Sequence, residues 1–205
     1  PHDLTNQLGF ELVRDSWSVP GPNRDPVEVL RAGLADRGED LDRLWLDHIA
    51  RNVAFDYPSG ELYRENTTLW EGYYTSERIT DTLSGAGGTG SSDALYRYGA
   101  ANVLLADPDV GTLEVRIAGE RQGSEGSPAS YGARVVQELP DGSVVYTEVP
   151  FVGRDGSVDV ALAADASAWL VIGAWTPDAA AWDRERFAVD WSLTVVPPAE
   201  PTTPT

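Results

Sequence analysis

The sequence predicts an α+β chain in two parts: a helical subdomain over residues 1–92, then an all-β antiparallel sandwich of about seven strands over 93–197. Three observations carry this. Apolar residues recur at helical spacing between residues 25 and 57, they alternate with polar ones from residue 113 to 196, and a Gly/Ser-rich stretch separates the two patterns. Residues 198–205 read as an extended Pro/Thr spacer, which cannot join a sheet interior.

The first helix opens at Asp25-Pro26, an acidic N-cap followed by proline at the first helical position. Val27, Leu30 and Leu34 form its apolar stripe, and Gly38 stops it. A second helix starts near Asp40 and places Leu41, Leu44, Trp45, His48, Ile49, Asn52 and Val53 on one face, running towards Tyr57 until Pro58-Ser59-Gly60 breaks it. The short link at Gly38-Glu39 makes the pair a helical hairpin or corner.

Residues 84–92 (SGAGGTGSS) read as a flexible linker and mark the domain boundary. Strands are then expected over 95–105, around Leu113, Val115 and Ile117, and over 131–139, 143–149 and 157–163. Pro140-Asp141-Gly142 and Arg154-Asp155-Gly156 supply the turns between the last three. Residues 168–175 form an unbroken apolar run, as in a strand covered on both faces, and 187–196 alternates again with Asp190, Ser192 and Thr194 facing out.

Composition excludes several functions. The chain has 205 residues, a net charge of −18 and no Cys or Met, and all 15 basic residues are Arg. Such a surface repels polyanions, so neither nucleic acid nor an anionic membrane is expected as a partner, and no apolar run is long enough for a spanning helix. A start at Pro1-His2-Asp3 without Met is expected of a processed or excised piece, and the acidic, Lys-free composition of an extracellular or cell-surface location.

Catalytic chemistry finds little support. Zinc hydrolysis needs several neutral His or carboxylate ligands on a rigid element, and this chain has two His, His2 and His48, with no HExxH. His48 lies on an apolar helix face and reads as a packed histidine before it reads as a site residue. No G-x-S-x-G elbow occurs, cysteine catalysis is excluded, and the Gly85 to Gly90 match to G-x-G-x-x-G lacks the preceding strand that phosphate binding requires. Asp107, Asp109, Asp141 and Asp155 offer oxygen ligands, but Asp-Gly is the favoured hairpin turn, so no calcium is expected. A hydrolase using a pair among the 33 carboxylates cannot be placed by counting. Asn66-Thr67-Thr68 fits the N-glycosylation sequon.

The aromatics offer a binding alternative. Trp70, Tyr73, Tyr74, Trp175 and Trp182 form a set suited to stack on sugar rings, whereas Trp45, Trp169 or Trp175, and Trp191 fall on apolar faces and read as core. Trp70, Tyr73, Tyr74 and Trp182 therefore stand as candidate ligand contacts, and Asp25, Pro26, Gly38, Trp45 and His48 as structural residues.

Asp25 to Tyr57, with its Arg37-Gly38-Glu39-Asp40-Leu41 joint and its Leu44-Trp45 and Phe55-Asp56-Tyr57 marks, resembles the helical region downstream of the zinc site in exported bacterial gluzincin-like zinc metallopeptidases of the myxobacterial type. Tyr98-Gly99-Ala100-Ala101-Asn102-Val103 is similar to the start of the β-sandwich that follows those helices. The resemblance implies a non-catalytic C-terminal segment whose partner is the upstream catalytic half. Zinc, its two His ligands and a general-base Glu would belong to that half, and no catalytic or metal residue transfers to this chain. The alternative is a free-standing extracellular module that binds glycans or cell-surface material.

Overall fold

A computed structural model describes residues 14, 26–56, 80–96, 98–124, 126–176 and 185–198. Two helices come first, α1 (Pro26–Ala35) and α2 (Leu41–Ala54). Ten strands follow: β1 (Asp81–Leu83), β2 (Gly87–Tyr96), β3 (Gly99–Leu105), β4 (Thr112–Gly119), β5 (Ser130–Glu138), β6 (Val144–Val149), β7 (Phe151–Val152), β8 (Asp155–Ala161), β9 (Ser167–Trp175) and β10 (Arg186–Val196). They form two five-stranded sheets, ordered β1-β3-β9-β5-β6 (sheet A) and β2-β10-β4-β8-β7 (sheet B). All pairs are antiparallel except β1 with β3.

Period-2 alternation builds the core. Val103, Val135, Leu170 and Ile172 of sheet A meet Val115, Ile117, Val189, Trp191 and Leu193 of sheet B in one buried cluster. At about 25 cal/mol per Å2 of apolar surface removed from water, each such side chain contributes about 1.5–3 kcal/mol.

The expected linker is a strand. Residues 87–92 belong to β2, and their glycines answer a packing demand rather than a need for flexibility. Gly90 pairs with Trp191, and a Cβ on Gly90 would stand 2.7 Å from the indole, so only glycine lets that ring lie over the strand. A sheet neighbour distant in sequence thus overrides a local composition that reads as coil. Strands β1, β2 and β7 raise the count from the expected seven to ten, and the turn expected at Arg154-Asp155-Gly156 lies earlier, leaving Asp155 as the first residue of β8.

Asp40 caps α2, its Oδ1 accepting from the Arg43 N–H at 2.9 Å, and Phe55 ends it at φ 50°. The buried stripe is rotated from the expected face. Leu46, Ile49, Ala50, Val53 and Ala54 pack on Val136, Trp169 and Val171 of sheet A, while Leu41 joins Leu34 of α1. Two apolar stripes, one for the sheet and one for α1, explain why a single-face reading took Leu44, Trp45 and His48 and missed Leu46. Gly132 gives α2 its seat: a Cβ there would meet Trp175 at 2.7 Å and Leu46 at 2.9 Å.

Polar contacts fix the helices to the sandwich. Arg31 donates to both carboxylate oxygens of Asp42 at 3.1 Å, and the Tyr98 hydroxyl, from the β2–β3 turn, donates to Asp42 Oδ1 at 2.7 Å. No described helix is long and apolar enough to cross a membrane.

Candidate functional site

The outer faces of the two sheets differ, and the difference locates the site. Sheet A is covered by α2. The outer face of sheet B carries no described helix, and its outward residues fall into register across the strands. Asp190 of β10 stands opposite Ser91 of β2 on one side and Ala118 of β4 on the other; Ala118 in turn stands opposite Asp155 of β8, which pairs with Val152 of β7. The adjacent row runs Thr89, Ser192, Arg116, Ser157.

These rows line an open groove of about 820 Å3. Small side chains make its floor, because Ala118 and the serines leave the backbone nearly bare. Asp155 and Asp190 flank Ala118 two strand spacings apart, about 10 Å between Cα atoms. Neither carboxylate has an ion-pair or hydrogen-bond partner among the described residues. Val152 projects at the rim with 87% of its surface exposed. Arg116 is engaged, donating to Asp159 Oδ1 at 3.1 Å and lying 3.8 Å from Glu114. Trp191 sits beneath the groove but faces the core.

Both carboxylates are exposed and separated by the intervening strand β4. Among the described residues no three His, Asp or Glu side chains come together in a way that would hold a metal ion.

A second pair of cavities lies where α2 meets sheet A. One, of about 290 Å3, is lined by Asp47, Arg51, Arg134, Tyr146 and Glu148. Arg134, with 11% of its side chain exposed, bridges Asp47 at 2.7 Å and Glu148 at 3.0 Å, and the Tyr146 hydroxyl donates to Asp56 Oδ2 at 2.7 Å. Burial and the hydrogen bond to Asp56 push the Tyr146 phenol well above its ordinary range. The other, of about 400 Å3, holds Trp175 and Phe151 beside Asp40 and Arg43. Its polar groups already serve the fold, Asp40 as the α2 cap and Arg43 in an ion pair with Glu39 at 2.9 Å. This junction attaches the helices.

Of the sequence-derived candidates, Trp70, Tyr73, Tyr74, Trp182, Asp25, His2 and the Asn66 sequon lie outside the described residues. Pro26 opens α1, and Gly38 stands at φ 77° in the turn after it. Trp45 packs edge-on to Tyr98 with ring centroids 5.8 Å apart, and His48 lies 5.8 Å from Trp45 with Nε2 3.3 Å from Asn52. Trp169 and Trp191 are buried and Trp175 is half-buried. Asp141 behaves as a turn residue: it accepts from the Ser143 hydroxyl at 2.6 Å and the Ser143 N–H at 2.9 Å, and these bonds hold its carboxyl below the usual range.

Sequence reasoning missed two features. Asp155 reads as a turn residue in its local sequence, and only the order β10-β4-β8 brings it into line with Asp190. Glu185, in a run of charges that reads as solvated surface, is fully buried and accepts from the Ser127 N–H at 3.2 Å, pinning the β4–β5 loop. No local signal marks it.

No known protein family and no curated protein matches the chain. Among solved structures, the pre-peptidase C-terminal domain of collagenase from Bacillus anthracis is similar at 8% identity, with 57% of this chain and 96% of that one covered and a TM-score of 0.37. The CBM22-2 xylan-binding domain of Paenibacillus barcinonensis Xyn10C is similar at 13% identity, covering 54% and 78%, with a TM-score of 0.33. The globular domain of zebrafish complement 1qA protein gives 12% identity, coverage of 55% and 99%, and a TM-score of 0.28. At such scores function has to be read from this chain's own residues.

Proposed function

We propose that this chain is a non-catalytic accessory module of an exported protein, acting outside the cell or at its surface, which recognises its target through the open face of sheet B. The carrying observation is the asymmetry of the sandwich. One outer face is apolar and closed by α2, while the other carries an open groove whose carboxylates, Asp155 and Asp190, have no side-chain partner among the described residues. A groove of apolar floor with a few exposed hydrogen-bonding groups suits a ligand that binds from water.

The finer reading places the module at the C-terminal side of a gluzincin-like zinc metallopeptidase, with zinc and its ligands in an upstream half and the helices as the support between the two. The sequence resemblance over Asp25 to Tyr57 and Tyr98 to Val103 supports it, as does the Arg31–Asp42–Tyr98 contact that makes helices and sandwich one unit. An HExxH upstream of Pro1 in the parent gene is the expected finding; a complete unrelated domain there would defeat it.

Recognition is tested with Ala118→Trp, which fills the groove floor. The intact chain is screened against peptide and glycan arrays, with thermal melting as the folding control. Binding that disappears in the variant while the melting temperature holds is the expected result, and binding that survives would remove the groove from the mechanism.

A further inference from the structure

We propose that the groove takes an extended, Lys- or Arg-bearing peptide segment, one cationic side chain lying across Ala118 between Asp155 and Asp190. This rests on the open sheet being the recognition face and specifies what that face selects.

Charge is the first argument. The outward positions of β4, β8 and β10 carry Glu114, Asp155, Asp159 and Asp190 against Arg116, which Asp159 and Glu114 already engage, and Arg186, which stands at the start of β10 opposite Tyr96 and outside the groove lining. Asp155 and Asp190 remain uncompensated among the described residues. With a chain charge of −18 the long-range field draws cations in and repels phosphates and uronates.

Shape is the second. Sheet side chains stand roughly perpendicular to the backbone plane, so the two carboxylates rise as parallel walls about 10 Å apart over the Ala118 methyl. A single metal ion needs oxygens at about 2.3–2.6 Å and cannot touch both walls. A cationic side chain needs only one of them: its ammonium or guanidinium pairs with Asp155 or Asp190 at about 2.7–2.9 Å while the other carboxylate adds its field. Where it pairs with Asp155, its aliphatic stem covers Val152, which is 87% exposed and next to Asp155 in the row. A neutral sugar fits less well, since no described aromatic ring faces the groove and the one beneath it, Trp191, points into the core.

The test is fluorescence anisotropy of a labelled nonapeptide of alternating Lys and Ser, titrated with the intact chain at low salt. Its Gln-for-Lys counterpart and a neutral glycan array serve as comparisons. Expected are binding of the Lys peptide alone, loss at about 0.5 M salt, where the screening length falls below about 5 Å, and loss with Ala118→Trp. Affinity should weaken about threefold with Asp155→Asn or Asp190→Asn and about tenfold with both, in the range of exposed ion pairs. Asp109→Asn, an exposed carboxylate in the β3–β4 loop, should leave affinity unchanged. An equal loss with Asp109→Asn overturns the proposal in favour of bulk charge. Glycan binding that is abolished by Ala118→Trp, with none to the peptide, overturns the peptide assignment and leaves the recognition face standing. Binding to neither probe, or binding untouched by Ala118→Trp, removes the face itself.

Discussion

The outer faces of sheets A and B are built from strands of the same number and opposite chemistry. In β9, at the centre of sheet A, Trp169 and Val171 point outward beneath α2 while Leu170 and Ile172 point inward, so every residue from Ala168 to Ala174 is buried. In β10, between β2 and β4 in sheet B, Val189, Trp191 and Leu193 are buried and Asp190 and Thr194 are exposed. A strand alternates when one of its faces meets water and runs apolar without a break when both are covered. The difference between the two sheets is therefore a difference in cover: sheet A holds α2, and the outer face of sheet B carries no described helix.

Paired substitutions on the two faces should break this contrast if it is wrong. Trp169→Ala is expected to cost about 3–5 kcal/mol in urea unfolding, because it empties the layer between α2 and sheet A, whereas Ser192→Ala on sheet B should stay within about 0.5 kcal/mol. Next comes Gly132→Val, whose added carbons collide with Trp175 and Leu46 and should cost about 1–3 kcal/mol by thermal melting; Ala118→Val, on the open face, should be near neutral.

Tyr146→Phe removes the hydrogen bond to Asp56 and should cost about 1 kcal/mol. It also sharpens the pH behaviour. Burial pushes Tyr131 from 10.0 to about 12, and Tyr146 is raised as well. A raised phenol is a group the folded chain keeps protonated after the unfolded chain has lost its proton. Its stabilisation is complete below pH 10 and disappears as pH climbs towards 12 and beyond. Denaturation midpoints followed across that window should fall, and less steeply in Tyr146→Phe. The smallest effect is expected from Asp159→Asn on sheet B, within about 0.5 kcal/mol and fading with salt, since its pair with Arg116 is exposed on both sides.

Where the sequence could be read, the reason was periodicity. Strands β4, β5, β6, β9 and β10 were legible because Leu113, Val115, Ile117 and their counterparts repeat at the spacing the pleat imposes. β2 was not, because its glycines are there for Trp191, a residue about 100 positions further on. The face of α2 was half legible: Ile49 and Val53 were placed, but a helix with two buried stripes has no single apolar side, so Leu46 and Ala50 were lost. Asp190 could be assigned to an outward face from its own strand. That it shares a groove with Asp155 depends on β4 lying between β10 and β8, a fact of sheet order that no local pattern encodes.

Strand order has a consequence for how the molecule is made. β9 lies at the centre of sheet A between β3 and β5, and β10 lies between β2 and β4 in sheet B. Before residue 167 is available, a chain growing from its N-terminus can form only the β1–β3, β5–β6, β4–β8 and β7–β8 pairs. Both sheets then close on β9 and β10, and of their four pairings only β9 with β5 joins residues fewer than 60 positions apart. Such long loop closures are slow. Completion of both sheets therefore waits on β9 and β10, and until those strands are added the inner faces of β3 to β8 lack the partners that bury them.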